Sequence, residues 1–319
     1  MRRVMWVMCA AALLAGAGCG GSDDKGDAPI GAADAARPAP SGEATAEQVA
    51  KEMRGNVRCP AKASSPRPDG APMDDVIGVR PGMSWNEAAT FVMCDNPLMV
   101  VTENTGRNYQ VNTYGQKLRQ GFDGKFAEPR VVKTSRDYLR EMSEDAARRS
   151  GNAYVAPLQP GQSRFYVSTM GLPGQEQVIS VAREEYYVDG KQPTIESLTQ
   201  ALIAKYGQPS AANDAGSIVQ MWWEYDPSGN KMQQPQCRIS ISPDAGTSLS
   251  TACGITVGAQ IQASRTNAAL AHSLAVTSQN GAWGYELLQR TETTLKNADA
   301  AQKAKEIEDA SKNAGAPKL

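Results

Sequence analysis

Residues 194–226 read TIESLTQALIAKYGQPSAANDAGSIVQMWWEYD, a helical pattern followed by an extended one. Thr194 opens a helix in which Ile195, Leu198, Leu202 and Tyr206 recur at helical spacing, and Gly207 and Pro209 supply its stop. Then the period changes to two. Val219, Met221, Trp223 and Tyr225 share one strand face, while Ile218, Gln220, Trp222 and Glu224 share the other. Asp226-Pro227-Ser228-Gly229-Asn230 is a turn, since Pro presets φ and Gly and Asn tolerate positive φ. CRISIS from Cys237 and GITVGAQIQ from Gly254 alternate again. A helix followed by three hairpin-linked strands predicts an antiparallel sheet with the helix packed on one face, an α+β layer. Leu274–Thr277 is expected to add an edge strand.

The first half has a similar plan. Order is expected from near Met73, with a short strand at Val76, Ile77 and Val79 and a turn at Pro81-Gly82. Ser84 with Glu87 forms a capping box for a helix whose Trp85, Ala88, Ala89 and Val92 fall on one face, and Pro97 stops it. Residues 98–102, 130–134, 164–170 and 177–188 read as strands. Residues 103–128, rich in Gly, Asn, Gln and Thr, read as a long surface excursion. Residues 136–150 read as a charged helix with Tyr138, Leu139 and Met142 on its inner side, and 283–313 as a helix docked through Leu287, Leu288 and Leu295. The end of that last helix has no sustained heptad and reads as solvated, with a coiled-coil partner as the alternative.

The halves echo each other. Gly82-Met83-Ser84-x-x-Glu87-Ala88 opens one helix and Thr194-x-x-Ser197-Leu198 the other, with proline stops at Pro97 and Pro209. The pattern is compatible with two related helix-plus-sheet modules, whether separate or sharing a core.

The chain has 319 residues, 33 Lys+Arg against 34 Asp+Glu, and 41% hydrophobic residues, an ordinary globular mixture with no general attraction for nucleic acid. A single histidine, His272, removes chemistry that needs a histidine pair, and no cluster has metal-ligand spacing, so no metal or cofactor is expected. Ser228/Lys231 and Ser278/Asn280 fit fragments of penicillin-binding motifs, but the Lys133-Thr134 element precedes them and Ser228 sits in a turn. Gly16/Gly18/Gly21 and Ser22/Lys25 match motifs by composition alone. Glu184-Glu185 is the obvious acidic pair, yet adjacent strand residues point to opposite faces. No catalytic residue is assigned. Trp222 and Tyr187 are candidates for an exposed contact surface, because aromatics are enriched at binding hot spots.

Arg2 and Arg3 precede an apolar run from Val4 to Ala15, of secretory length and shorter than the roughly 20 residues of a membrane span. Gly16-Ala17-Gly18-Cys19 follows, then a Gly/Ala/Ser/Asp/Pro-rich stretch to about Pro72, in which Glu43–Arg54 can form a short helix. With Cys9 in the signal and Cys19 set apart, four cysteines remain, and in an exported chain four imply two disulfides. Cys237–Cys253 is favoured because the pair flanks a turn-rich segment, which leaves Cys59–Cys94. No C-x-x-C motif is present to suggest a redox thiol.

Gly16-Ala17-Gly18-Cys19 resembles the lipobox of bacterial lipoproteins, with glycine where leucine is usual three places before the cysteine. That resemblance implies lipidation of Cys19, with an ordinary signal peptide as the alternative. Gly20-Gly21, in place of the aspartate that marks inner-membrane retention, implies the periplasmic face of the outer membrane. Gly82-Met83-Ser84 followed by a helix carrying Glu87 resembles small outer-membrane lipoproteins of the BamE (SmpA/OmlA) type and the repeats of β-lactamase inhibitory protein. Gly207-Gln208-Pro209 matches their Gly-x-Pro stop, whereas the first half has Cys94-Asp95-Asn96-Pro97. The chain also resembles envelope lipoproteins of Gram-negative bacteria more broadly. These resemblances imply a non-enzymatic module that binds an envelope protein. An inhibitor or immunity protein occupying an enzyme's cleft is the alternative, with a cell-wall or lipid hydrolase behind it. The expected organisation is a lipoprotein signal peptide over 1–18, a flexible tether over 19–72, α+β modules over 73–190 and 191–282, and a charged helix and tail over 283–319.

Overall fold

The structure is a computed structural model that describes residues 42–103, 111–149, 158–234, 236–241 and 248–315. The chain divides after Ala36, and the first unit lies outside the described residues, as do the signal segment and Cys19. The second unit is built on one eight-stranded antiparallel sheet. Its strands are β1 (Met99–Glu103), β2 (Gly121–Phe126), β3 (Ser163–Met170), β4 (Gln177–Tyr186), β5 (Ala211–Asp214), β6 (Ile218–Glu224), β7 (Ile255–Ala263) and β8 (Ala271–Asn280). The helices are α1 (Ala46–Arg54), α2 (Trp85–Asp95), α3 (Ser135–Arg149), α4 (Ile195–Tyr206) and α5 (Gly281–Asn313).

The strand order β1-β2-β3-β4-β8-β7-β6-β5 is two four-stranded meanders joined at their last strands. A helix precedes each meander, and each is capped alike. Ser84 accepts the Glu87 N–H and Thr194 accepts the Ser197 N–H. The two capping residues also form equivalent single bridges, Ser84 to Gln177 and Thr194 to Leu270. The helix-plus-sheet pattern of the two halves is therefore present twice, and the two copies share one core. Val92, Phe122, Phe165 and Val181 from the first half pack in the same buried cluster as Leu202, Trp223, Val257 and Ile261 from the second. Both α2 and α4 cover this sheet face.

Several local expectations are corrected. The Val76–Val79 segment is a tight turn, not a strand: Val76 and Val79 exchange hydrogen bonds of 2.8 and 3.1 Å around Ile77 and Gly78. The surface excursion contains β2, whose GFDGKF sequence conceals it; Gly124 faces α2 so closely that an added Cβ would collide with Val92. Residues 130–134 make only the Ala44–Arg130 bridge. β8 is a central strand, and residues 237–241 of the CRISIS run lie across the sheet instead of pairing within it. The capping box at Ser84 is half formed, because Glu87 turns away to accept the hydroxyl protons of Ser64 at 2.8 Å and Ser65 at 2.7 Å. Burial alone would raise that carboxyl, but the serine hydrogen bonds outweigh it and hold it below its ordinary range.

Order also begins before Met73. Val49 and Ala50 of α1 pack with Val100 and Ala127 on the second sheet face, and Cys59–Cys94 ties the following segment to α2. At the other end, Leu287 and Leu295 of α5 pack with Met170 and Ile179. Beyond that contact α5 is exposed, as its charged sequence implies. Among the described residues no helix is long and apolar enough to cross a membrane.

Candidate functional site

The second sheet face carries the candidate site. Strand alternation that sends Trp223, Met221 and Val257 into the core sends their neighbours to this side. Cross-strand register then aligns Arg164, Glu184, Ala275, Gln260, Gln220 and Asn213 in one row across six strands. The adjacent row is Tyr166, Ala182, Thr277, Gly258, Trp222 and Ala211. Small residues at Ala275 and Gly258 lower the middle of this surface into a trough.

A strap, residues 237–241, forms one wall. Cys237–Cys253 fixes its root, with Cα atoms 5.6 Å apart. The wholly buried Glu224 accepts the Cys237 N–H there. Trp222 Nε1 donates to the Ile239 carbonyl and Thr277 Oγ1 to the Ile241 carbonyl, both at 3.3 Å. Gly258 lets the strap sit close, since a Cβ would meet Ile241 Cγ1 at 2.9 Å. The half-open cavity is about 360 Å³, lined by Glu184, Gln220, Gln260, Trp222, Ile241 and Ala275 among others.

Its lining mixes polar side chains (Glu184, Gln220, Gln260) with apolar ones (Trp222, Ile241, Ala275). Glu184 is the one carboxylate among the lining residues and is held by Arg164 at 2.6 Å. Gln220 Nε2 donates to Gln260 Oε1 at 2.7 Å, so the two amides form a fixed ladder. Tyr186 packs against His272 with ring centroids 4.8 Å apart and the ring planes tilted by 56°, and burial pushes its phenol upward. This gives His272 an aromatic packing contact. Glu185 leans the other way and pairs with Arg183, which also reaches Asp95 of α2. The adjacent carboxylates therefore serve different ion pairs.

The two aromatic candidates do not share a surface. Trp222 is only 7% exposed, covered by the strap and by Arg238 over its ring. It lines the trough as a wall. Tyr187 packs against the main core cluster, and burial pushes its phenol up to about 12. The row partners Arg164, Gln220 and Gln260 were not singled out from the sequence. Gln220 shares the Trp222 side of the alternating IVQMWWEYD run, which was a usable signal. The alignment with Arg164 and Glu184 depends on the β4–β8 pairing.

The architecture thus defines an α+β protein in which α2 and α4 cover the main apolar core on one sheet face, while the other face carries smaller apolar clusters around a strapped trough. No family model, no curated protein and no solved structure matches the chain. Among the described residues no group of His, Cys, Asp or Glu is placed to hold a metal ion.

Proposed function

We propose that this chain is a non-enzymatic binding module of the bacterial envelope, held on the periplasmic face of the outer membrane by lipid on Cys19. Its trough takes a segment of another envelope protein. The observation that carries the reading is the in-register row from Arg164 to Asn213, whose one lining carboxylate, Glu184, is neutralised by Arg164. Carboxylate-pair hydrolysis needs two carboxyl groups, and Glu184 is the one carboxylate among the lining residues. An ion-paired carboxylate beside a fixed amide ladder offers hydrogen-bond recognition. The Gly-Met-Ser resemblance and two disulfides, the usual equipment of an exported chain, point the same way.

A second reading, an inhibitor that fills an enzyme's cleft, is favoured by the partly exposed aromatic residues Tyr166 and Tyr186 on the same face. Photo-crosslinking from position 220 in living cells, followed by mass spectrometry, separates them. Adducts with an envelope structural protein support the module; one stoichiometric enzyme or toxin supports the inhibitor. Absence of adducts, together with peptidoglycan or lipid hydrolysis by purified protein that Glu184→Gln abolishes, overturns both.

A further inference from the structure

The connection from β2 to β3 carries large apolar side chains on its outside. Val131, Val132, Tyr138, Leu139 and Met142 are 60, 74, 57, 67 and 67% exposed. None belongs to an apolar cluster among the described residues. The apolar side of α3, expected to face inward, faces outward. Tyr138, Leu139, Met142 and the exposed Ala146 form a single stripe on the helix. Scattered exposed hydrophobics need no explanation, but five in so short a run make a patch that does.

The position of the patch suggests its occupant. Ala44, near the start of the described chain, exchanges hydrogen bonds of 2.9 and 2.8 Å with Arg130, the residue before Val131. An Arg130–Glu52 ion pair fastens the same corner to α1. The chain arriving from Cys19 thus joins the fold at the root of the apolar stripe. That link is roughly 25 residues and spans at most about 90 Å even when fully extended. The helix has balanced acidic and basic residues, with the exposed Arg136 beside the stripe and Tyr138 within it, while Lys133 pairs with Glu141 at 2.7 Å. Tyrosine suits the headgroup level of a bilayer, and basic side chains reach its phosphates while their stems stay apolar.

We propose that α3, with Val131 and Val132, is a membrane-docking helix that lies in the phospholipid headgroup layer and orients the trough relative to the membrane. The inference rests on the lipid-anchor reading of Cys19. The protein is reconstituted in its lipidated, full-length mature form into vesicles of phosphatidylethanolamine and phosphatidylglycerol containing brominated acyl chains. An environment-sensitive dye is attached at Leu139→Cys or, as a control, at the exposed Ala201→Cys on α4; the four described cysteines are disulfide-bonded. The expected result is a blue shift and strong bromolipid quenching at 139 and neither at 201. The unlipidated Cys19→Ser chain should also partition measurably, falling about tenfold or more when Tyr138, Leu139 and Met142 become Ser.

A chain that floats with vesicles while the dye at 139 stays wet overturns the docking helix and leaves the anchor intact. If the native protein carries no lipid, the anchor reading fails separately. Partition of the unlipidated chain then supports the helix, and its absence overturns it. A blue shift without vesicles, with doubled mass in light scattering, assigns the stripe to a second copy and overturns the lipid assignment.

Discussion

Lys205 Nζ on α4 lies 2.9 Å from Asp75 Oδ2, and the neighbouring Tyr206 donates its hydroxyl proton to the Asp75 carbonyl at 2.7 Å. The helix of the second half is thereby locked to the entry segment of the first. Arg67 adds ion pairs to Asp74 and Asp75, each at 2.9 Å. Desolvation pushes the Asp75 carboxyl up, but Lys205, the Gly78 N–H and Arg67 outweigh it and hold it below its ordinary range. A carboxyl lowered on folding contributes stability that is complete above its unfolded value, about 3.9, and is lost as pH falls through the folded value. We predict that Asp75→Asn costs about 1–2 kcal/mol at pH 7, scaled for partial exposure. Urea unfolding at a series of pH values should show that cost shrinking below about pH 3.9. A penalty independent of pH would show that the carboxylate is not its source.

Asp74, one residue earlier, has the opposite sign. Burial is the largest influence on it and lifts its carboxyl above the ordinary range despite Arg67 and Arg80. A raised carboxyl contributes stability at low pH that declines as pH rises from the unfolded towards the folded value. Asp74→Asn removes this slope, so the variant's stability relative to the native chain should improve as pH rises across that window. Paired unfolding curves of Asp74→Asn and Asp75→Asn should diverge in opposite directions with pH, and parallel curves would refute the assignment.

Ile77 occupies the left-handed region at φ 49°, beside Gly78 at φ 80° in the two-residue turn. That conformation is costly for a β-branched side chain, and Ile77 is half exposed, so little packing offsets it. Ile77→Asn, which tolerates this region, should raise stability by about 1 kcal/mol and increase Tm. Calorimetry of the single variant decides it; a lower Tm would mean that the Ile77 side chain contributes packing that outweighs the strain.

Local patterns were legible where one segment carried the whole signal. Ser84 and Thr194 announced two helices, and alternation separated Trp222 from Trp223. Pairing between distant segments was not legible. Nothing in the LAVT run of β8 says that it joins the two meanders, because its partner β4 lies far upstream. Apolar periodicity on α3 showed which side was apolar but not whether anything covered it. Trp222 was correctly placed off the core face, yet its burial comes from the strap, which the alternating CRISIS sequence disguised as a sheet strand.

The strap makes the trough separable from the core. Cys237→Ala/Cys253→Ala removes the tether at its root, and closing a loop of that size is worth about 3 kcal/mol in the chain-entropy model. Gly258→Ala leaves the bridge intact but pushes a Cβ against Ile241, at a cost of about 1–3 kcal/mol for overpacking. Both changes should weaken partner crosslinking from position 220, since each displaces Ile239 and Ile241 from the wall.

The two helices at the periphery should respond in contrasting ways. Leu295 is buried against Met170 and Ile179, so Leu295→Ala should cost about 2–4 kcal/mol, whereas the residues from 301 to 315 are exposed and their removal should cost less than about 0.5 kcal/mol. On α3, replacing Tyr138, Leu139 and Met142 with Ser should be equally mild, because those side chains lie outside every apolar cluster among the described residues. Denaturant titration in the absence of membranes checks both. A large loss from the α3 triple variant would mean that its stripe is covered within the fold, which would remove the surface on which membrane docking depends.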